Sequence, residues 1–290
     1  MKMNYYTINI RGRLTDLSEP CVMGILNATP DSFFAGSRMQ TEREIADRAN
    51  EIIAEGGRII DVGAFSTRPG AQSVSEQEEM GRLRQALAIV RREQPDATVS
   101  VDTFRPDVAR MAVEEMGADI INDVSEGGLT GIVGQSLSQT DGGLAVGDTV
   151  PAMFRTVASL GVPYILMSVE PDLRSTLLTF ARKVELLRRL GQKDIILDPG
   201  FGFGKTLDDN YRLLSELDKL QVMGLPLLVG VSRKSMIFKL FNVSPQESLN
   251  GTTVLNTIAL MKGAGILRVH DVREAVECVE LYKKTFPVSV

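Results

Sequence analysis

Short apolar runs alternate with longer amphipathic stretches along the whole chain. The runs are CVMGILN (21–27), RIIDVG (58–63), TVSVDT (98–103), DIINDV (119–124), PYILMS (163–168), DIILDPG (194–200), LLVGVSRK (227–234) and ILRVHD (266–271). Each is almost wholly apolar until its C-terminal end, as expected of strands in a parallel sheet covered on both faces. Between consecutive runs lies about one helix worth of sequence. TEREIADRANEIIAEGG (41–57) opens on Thr41 with Glu44 at the capping-box position and closes on Gly56-Gly57. SEQEEMGRLRQALAIVRRE (75–93) repeats this with Ser75 and Glu78, and further helices are predicted over 105–117, 152–161, 175–191, 210–224, 251–265 and 272–284. Strands and helices in this alternation are the arithmetic of an α/β fold, the (β/α)8 TIM barrel. Residues 4–20 read as a hairpin turning near Gly12, placed to plug the barrel's bottom. The predicted organisation is an N-terminal hairpin segment over 1–20 and one barrel over 21–290.

Chemistry in such barrels collects at the C-terminal strand ends. Asp102, Asn122 and Asp198 place acceptors at three of them. Buried carboxylates need compensating donors. A flat heterocycle with several N–H groups would supply them, and so would a purely structural ion pair with Lys234. His270 is the only histidine and stands two residues beyond Arg268. That place, after the last strand, suits an anion, and helices starting after SRKS and VHD would aim N–H groups at the same mouth. Asp123 and Asp271 read as candidate N-caps.

The loops add to this picture. ILNATPDSFFAGS (25–37) carries Phe33 and Phe34, and VGAFSTRPGAQSVS (62–75) sets Ser66, Thr67 and Arg68 ahead of Pro69-Gly70. Hydroxyls beside the planar donor fork of an arginine suit an anionic group. GFGFGKT (200–206) is not a nucleotide loop: Pro199 occupies the first glycine position of a phosphate loop, and the dinucleotide fingerprint would put its third glycine on Lys205 or Leu207. Its glycines more simply let backbone and Phe203 approach a flat ligand. The Gly-, Ser- and Thr-rich stretch 125–151 is too long for an ordinary strand-to-helix loop. It reads either as a flap over the mouth or as a neutral insertion.

Composition narrows the partners. A net charge of -5 without a local Lys/Arg cluster leaves no footprint for nucleic acid. Cys21 and Cys278 lack metal-type spacing and fit a reduced compartment. The opening MKMNYYTINI has no signal-peptide core. No apolar stretch approaches the roughly 18 residues that span a bilayer. A cytoplasmic protein without membrane partners is expected.

Together, ILNATPDSF, DVGAFSTRPGA, SVDTF, INDVS, ILDPGFGFGK, GVSRKS and RVHDV resemble the dihydropteroate synthase family, the folate-pathway target of sulfonamide drugs. The motifs run in family order from about Cys21 to Lys284. The resemblance implies a transferase, commonly homodimeric, that condenses 6-hydroxymethyl-7,8-dihydropterin pyrophosphate with p-aminobenzoate in the presence of Mg²⁺. It implies a pterin site of Asp102, Asn122, Met167, Asp198, Phe203, Lys234 and Arg268. Pyrophosphate would meet Asn27, Arg68, Arg268 and His270, with Asn27 also on Mg²⁺. The p-aminobenzoate slot would comprise Phe33, Thr67, Pro69, Phe203, Lys234 and Ser235. Catalysis would fall to Asp102, Arg68 and Lys234, since cations stabilise the leaving anion and a carboxylate the cationic methylene left behind.

There are two departures from the family pattern. Its His-Met pair after the fifth strand is Ser168-Val169 here, and the Gly-rich stretch follows the fourth. They keep a second reading open, a catalytically weak or inactive pterin-binding paralogue. A barrel presenting methyltetrahydrofolate to a corrinoid protein is a third, and the STRPG and SRKS loops count against it.

Overall fold

The computed structural model describes residues 6–28, 38–65, 74–127 and 150–287. Strands β1 (Thr7–Ile10) and β2 (Arg13–Asp16) form an antiparallel hairpin. The other strands are β3 (Cys21–Asn27), β4 (Ile59–Gly63), β5 (Thr98–Asp102), β6 (Ile120–Asp123), β7 (Tyr164–Met167), β8 (Ile195–Asp198), β9 (Leu228–Val229) and β10 (Ile266–Val269). They are parallel, in the order β8-β7-β6-β5-β4-β3-β10-β9. A parallel bridge from Leu197 of β8 to Leu227, just ahead of β9, brings the two edges together into a nearly closed barrel.

The helices between them are α1 (Arg38–Ala54), α2 (Glu76–Glu93), α3 (Pro106–Glu114), α4 (Ala152–Leu160), α5 (Leu173–Arg189), α6 (Leu207–Ser215), α7 (Ser235–Phe241), α8 (Leu249–Met261) and α9 (Val272–Thr285). Ser75 caps α2 as expected, its side chain accepting the Glu78 N–H at 3.2 Å. Elsewhere the caps move the predicted starts. α1 begins at Arg38, so position 41 lies inside it. α5 begins earlier because Asp172 accepts the Ser175 N–H, and α6 because Thr206 and Asp209 form a reciprocal capping box.

Strand periodicity sorts the side chains. One set, including Ile60, Val62, Val99, Val101, Ile121, Leu166, Leu197 and Leu267, packs outward with helix residues such as Ile52, Leu87, Val108 and Leu187. The alternate set, Met23, Ile59, Ile120, Ile165, Ile196, Leu228 and Ile266, faces inward and packs with Ile8, Ile10 and Leu17 of the hairpin segment. The hairpin therefore plugs the N-terminal end of the barrel. Arg11 fastens it there through Asp119, at 2.6 and 3.0 Å, a carboxylate that also accepts from Arg91 and from the Val99 N–H.

Two residues further along four of these inward faces the apolar layer turns polar. Ile59 leads to Asp61, Ile120 to Asn122, Ile196 to Asp198 and Ile266 to Arg268, because side chains alternate faces along a strand. Register sets Asp102 beside Asn122 and Met167 beside Asp198. By the same alternation Asp123 faces away from this layer. It accepts from Ser125 N–H and Oγ, Gly127 N–H and Tyr164 Oη, and so organises the turn after β6.

Candidate active site

Arg268 lies between two carboxylates. Its Nε donates to Asp61 Oδ2 at 2.6 Å and its Nη2 to Asp102 Oδ2 at 2.8 Å. Asn122 donates to the same Asp61 oxygen at 3.2 Å. Asp61 Oδ1 and Asn122 Oδ1 are buried without a hydrogen-bond partner. Burial raises Asp102 to about 7, with Arg268 opposing the shift. Burial also works against the Arg268 charge, but Asp61 and Asp102 outweigh it and hold the guanidinium more firmly protonated than usual. Asp61 is the residue sequence reasoning passed over as a site member. Its signal is the same two-residue offset from an inward apolar position that marks Asn122 and Asp198.

Asp198 and Lys234 form the other side. Asp198 Oδ1 accepts the Gly200 N–H at 2.8 Å, which leaves Oδ2 for a further donor. Burial raises the Asp198 pKa, opposed by Lys234 and that N–H. Lys234 donates to the Phe201 carbonyl and lies 4.7 Å from the Phe203 ring centroid. Burial lowers it to about 8, with Asp198 opposing. Lys234 thus meets a carbonyl and a ring, and feels Asp198 through space instead of closing a self-sufficient ion pair. The glycines of the β8 loop serve the protein's own packing: a Cβ on Gly200, whose φ is +70°, would lie 2.0 Å from the Ser168 carbonyl oxygen. Lys205 donates to the carbonyls of Ser168, Gly200 and Phe203 at 3.0–3.2 Å. Burial lowers its pKa to about 8, against the pull of Asp198.

Around the rim, His270 Nδ1 lies 3.1 Å from Ser232 Oγ, which also accepts the His270 N–H. Arg48 ties the ends of β3 and β10 together, donating to the carbonyls of Ile25 and His270. Asn27 is exposed at the end of β3, and Ser235 is the first residue of α7. Asp271 makes no side-chain cap and takes Arg233 in a fork at 2.9 and 2.6 Å. Phe33, Thr67, Arg68 and Pro69 lie outside the described residues. In the described chain on either side of them, Arg82 donates to the Ala64 carbonyl, and Arg105 to the Val74 carbonyl and to buried Glu79.

A nearly closed parallel barrel with carboxylates, an amide and two cations gathered at the C-terminal strand ends defines a (β/α)8 enzyme with a polar floor. The pterin binding enzyme family matches residues 23–270. Dihydropteroate synthase of Escherichia coli K12 is 38% identical over 290 residues, covering 95% of each chain. The Yersinia pestis dihydropteroate synthase in complex with a sulfonamide drug is similar in structure, with a TM-score of 0.79, 36% identity and coverage of 97% of this chain and 99% of that one. Xanthomonas albilineans dihydropteroate synthase with 4-aminobenzoic acid gives 0.81 and 32%, over 98% and 99%. The chain belongs to the pterin-binding enzyme family, among the dihydropteroate synthases, transferases of folate biosynthesis.

Proposed function

We propose that the strand ends of this barrel divide the dihydropteroate synthase reaction between a pterin floor and an anion rim. The observation that carries this assignment is the acceptor-rich layer beneath Arg268, in which Asn122 Oδ1 and Asp61 Oδ1 are buried and unpaired. A pterin brings the missing donors. Its 2-amino and ring N–H groups match Asp198 as a parallel pair, and Asn122 takes a further contact. Arg268 stacks on the ring, and Met167 and Phe203 belong to one apolar cluster with Val124 and Val169 that flanks it.

In the reaction the bond from the pterin methylene carbon to the pyrophosphate oxygen breaks, and the aniline nitrogen of p-aminobenzoate bonds to that carbon and loses a proton. Asp102 faces the positive charge that develops on the methylene. Asn27, Arg68, Arg268 and His270 receive the leaving anion, and Arg68 and Lys234 add catalytic charge stabilisation. The p-aminobenzoate slot is Phe33, Thr67, Pro69, Phe203, Lys234 and Ser235. Mg²⁺, when bound, neutralises pyrophosphate charge, and Asn27 would hold it through its amide oxygen. An exposed amide oxygen at the end of β3 suits the ion, because Mg²⁺ commonly takes few protein ligands beside substrate phosphates.

Purified protein given the pterin pyrophosphate, p-aminobenzoate and Mg²⁺ should release pyrophosphate. Pterin binding without release would instead make the chain the inactive paralogue that Ser168-Val169 leaves open.

Two predictions arise here. kcat/KM for the pterin substrate should rise as Asp102 ionises through about 7 and fall as Lys234 loses its proton through about 8. Each limb should approach a slope of about tenfold per pH unit, with macroscopic values that belong to the coupled floor. Initial rates at saturating p-aminobenzoate check this, and a profile flat through 7 contradicts it. A homodimer is also part of this reading. Val254, Ile258 and Met261 follow one face of α8, and all three are exposed, as are Leu281 of α9 and Phe286 just beyond it. Ile258→Glu should shift the mass in light scattering from dimer to monomer. A dimeric Ile258→Glu would move the interface elsewhere. No helix among the described residues is long and apolar enough to cross a membrane, and this reading places the enzyme in the cytoplasm.

A further inference from the structure

The two departures from the family pattern meet at one peptide. Val169, in the substituted Ser168-Val169 pair, donates its N–H to Oε1 of Glu126 at 2.9 Å. Glu126 lies in the Gly-rich stretch that follows β6. The carbonyl of the same peptide, that of Ser168, accepts from Lys205 Nζ at 3.2 Å. A carboxylate and an ammonium therefore hold opposite ends of one peptide plane.

The carboxylate has a buried support. Glu126 Oε2 lies 2.8 Å from Lys183 Nζ of α5, and the side chains are 1% and 4% exposed. Such a pair gives little net stability over apolar residues of the same volume, whereas removing one partner strands a buried charge. Glu126 also has a φ of +60°, a left-handed conformation uncommon for residues other than glycine. An unfavourable backbone conformation and an expensive ion pair thus converge on one backbone N–H.

That N–H matters for what lies beside it. Met167 and Val169 flank Ser168 and share an apolar cluster with Val124 and Phe203, while Met167 stands next to Asp198 in register. Lys205, at the other end of the peptide, also binds the carbonyls of Gly200 and Phe203. A shift of the 168–169 peptide would displace the apolar wall and the β8 loop together.

We propose that Glu126 and Lys183 are a positioning pair that fixes the 168–169 peptide and thereby seats the Met167–Phe203 wall of the pterin pocket. The proposal rests on the pterin reading of the mouth.

Three variants separate its parts. Lys183→Met strands the Glu126 charge. Glu126→Gln with Lys183→Met is a neutral pair that keeps an acceptor for the Val169 N–H. Glu126→Ala with Lys183→Met is neutral and lacks the acceptor. Lys183→Met should raise KM for the pterin substrate about tenfold, with kcat and KM for p-aminobenzoate within about twofold. The Gln/Met pair should return to within about threefold of wild type, and the Ala/Met pair should not. Equal behaviour of the two double variants, or parallel losses in both KM values and kcat, would overturn the proposal. If Lys183→Met fails to fold, the two neutral pairs still decide. Calorimetric pterin binding by the same proteins keeps the test independent of turnover, whereas a wild-type protein that binds no pterin would sink the pterin reading itself.

Discussion

Asp198→Asn is expected to weaken binding of the pterin substrate by about a hundredfold, on the order of 3 kcal/mol, while leaving the fold intact. In the native site Oδ1 accepts the Gly200 N–H and keeps a second lone pair, so both carboxylate oxygens can receive ligand donors. The amide can satisfy Gly200, but it then turns an N–H₂ toward the ligand's own donors. A fork of two charge-assisted bonds becomes a donor–donor clash. Lys234 loses as well, because Asp198 is the main group opposing its desolvation and its pKa should drop below about 8. Titration calorimetry with the pterin pyrophosphate measures the affinity, and thermal unfolding controls for folding. Affinity within about threefold of wild type would mean that the pterin does not dock on Asp198.

The second large effect is at Arg268. Arg268→Met should lower kcat/KM by about a thousandfold, since it removes both the stacking cation and a receptor for the leaving anion. It should also destabilise the protein by about 3–5 kcal/mol at neutral pH, because buried Asp61 and half-buried Asp102 are left without their shared cation. The sign with pH follows from the raised carboxylate. Asp102 already titrates at about 7 in the folded protein against an ordinary 3.8, and without Arg268 it rises further. A carboxyl with a raised folded-state pKa favours the native state while it is protonated, and loses that contribution as pH climbs through the raised value. The melting deficit of Arg268→Met should therefore be small near about pH 5 and widen above about 7. A deficit constant across that range would show that the two carboxylates do not depend on Arg268.

The sequence revealed the barrel more completely than the chemistry inside it. Parallel strands covered on both faces read as apolar runs, so Cys21–Asn27 and the ends at Asp102, Asp198 and Arg268 were visible in the chain. The same property hides which face is which. In Ile120–Asp123, Asn122 and Asp123 stand side by side, and strand alternation with the pairing of Asp102 and Asn122 turns the first toward the floor and the second away from it. Asp61 draws its role from Arg268, 207 residues away, and Asp271 from Arg233 instead of from the helix it precedes. Helix starts slipped where a cap lay upstream of the periodic stretch, as at Asp172 and Thr206. Phe33, Thr67, Arg68 and Pro69 stand on motif alone.

The hairpin segment at the bottom has a consequence for traffic. With Ile8, Ile10 and Leu17 packed under the inward isoleucines, the described residues close the barrel beneath the floor. On the proposed reading a ligand reaches Asn122 and Asp61 from the opposite end of the barrel. A pterin seated on that floor, as proposed, would enter first, and p-aminobenzoate would follow above it. On the proposed reading the product would then withdraw with its aminobenzoyl end leading, and the next pterin would wait until that mouth clears.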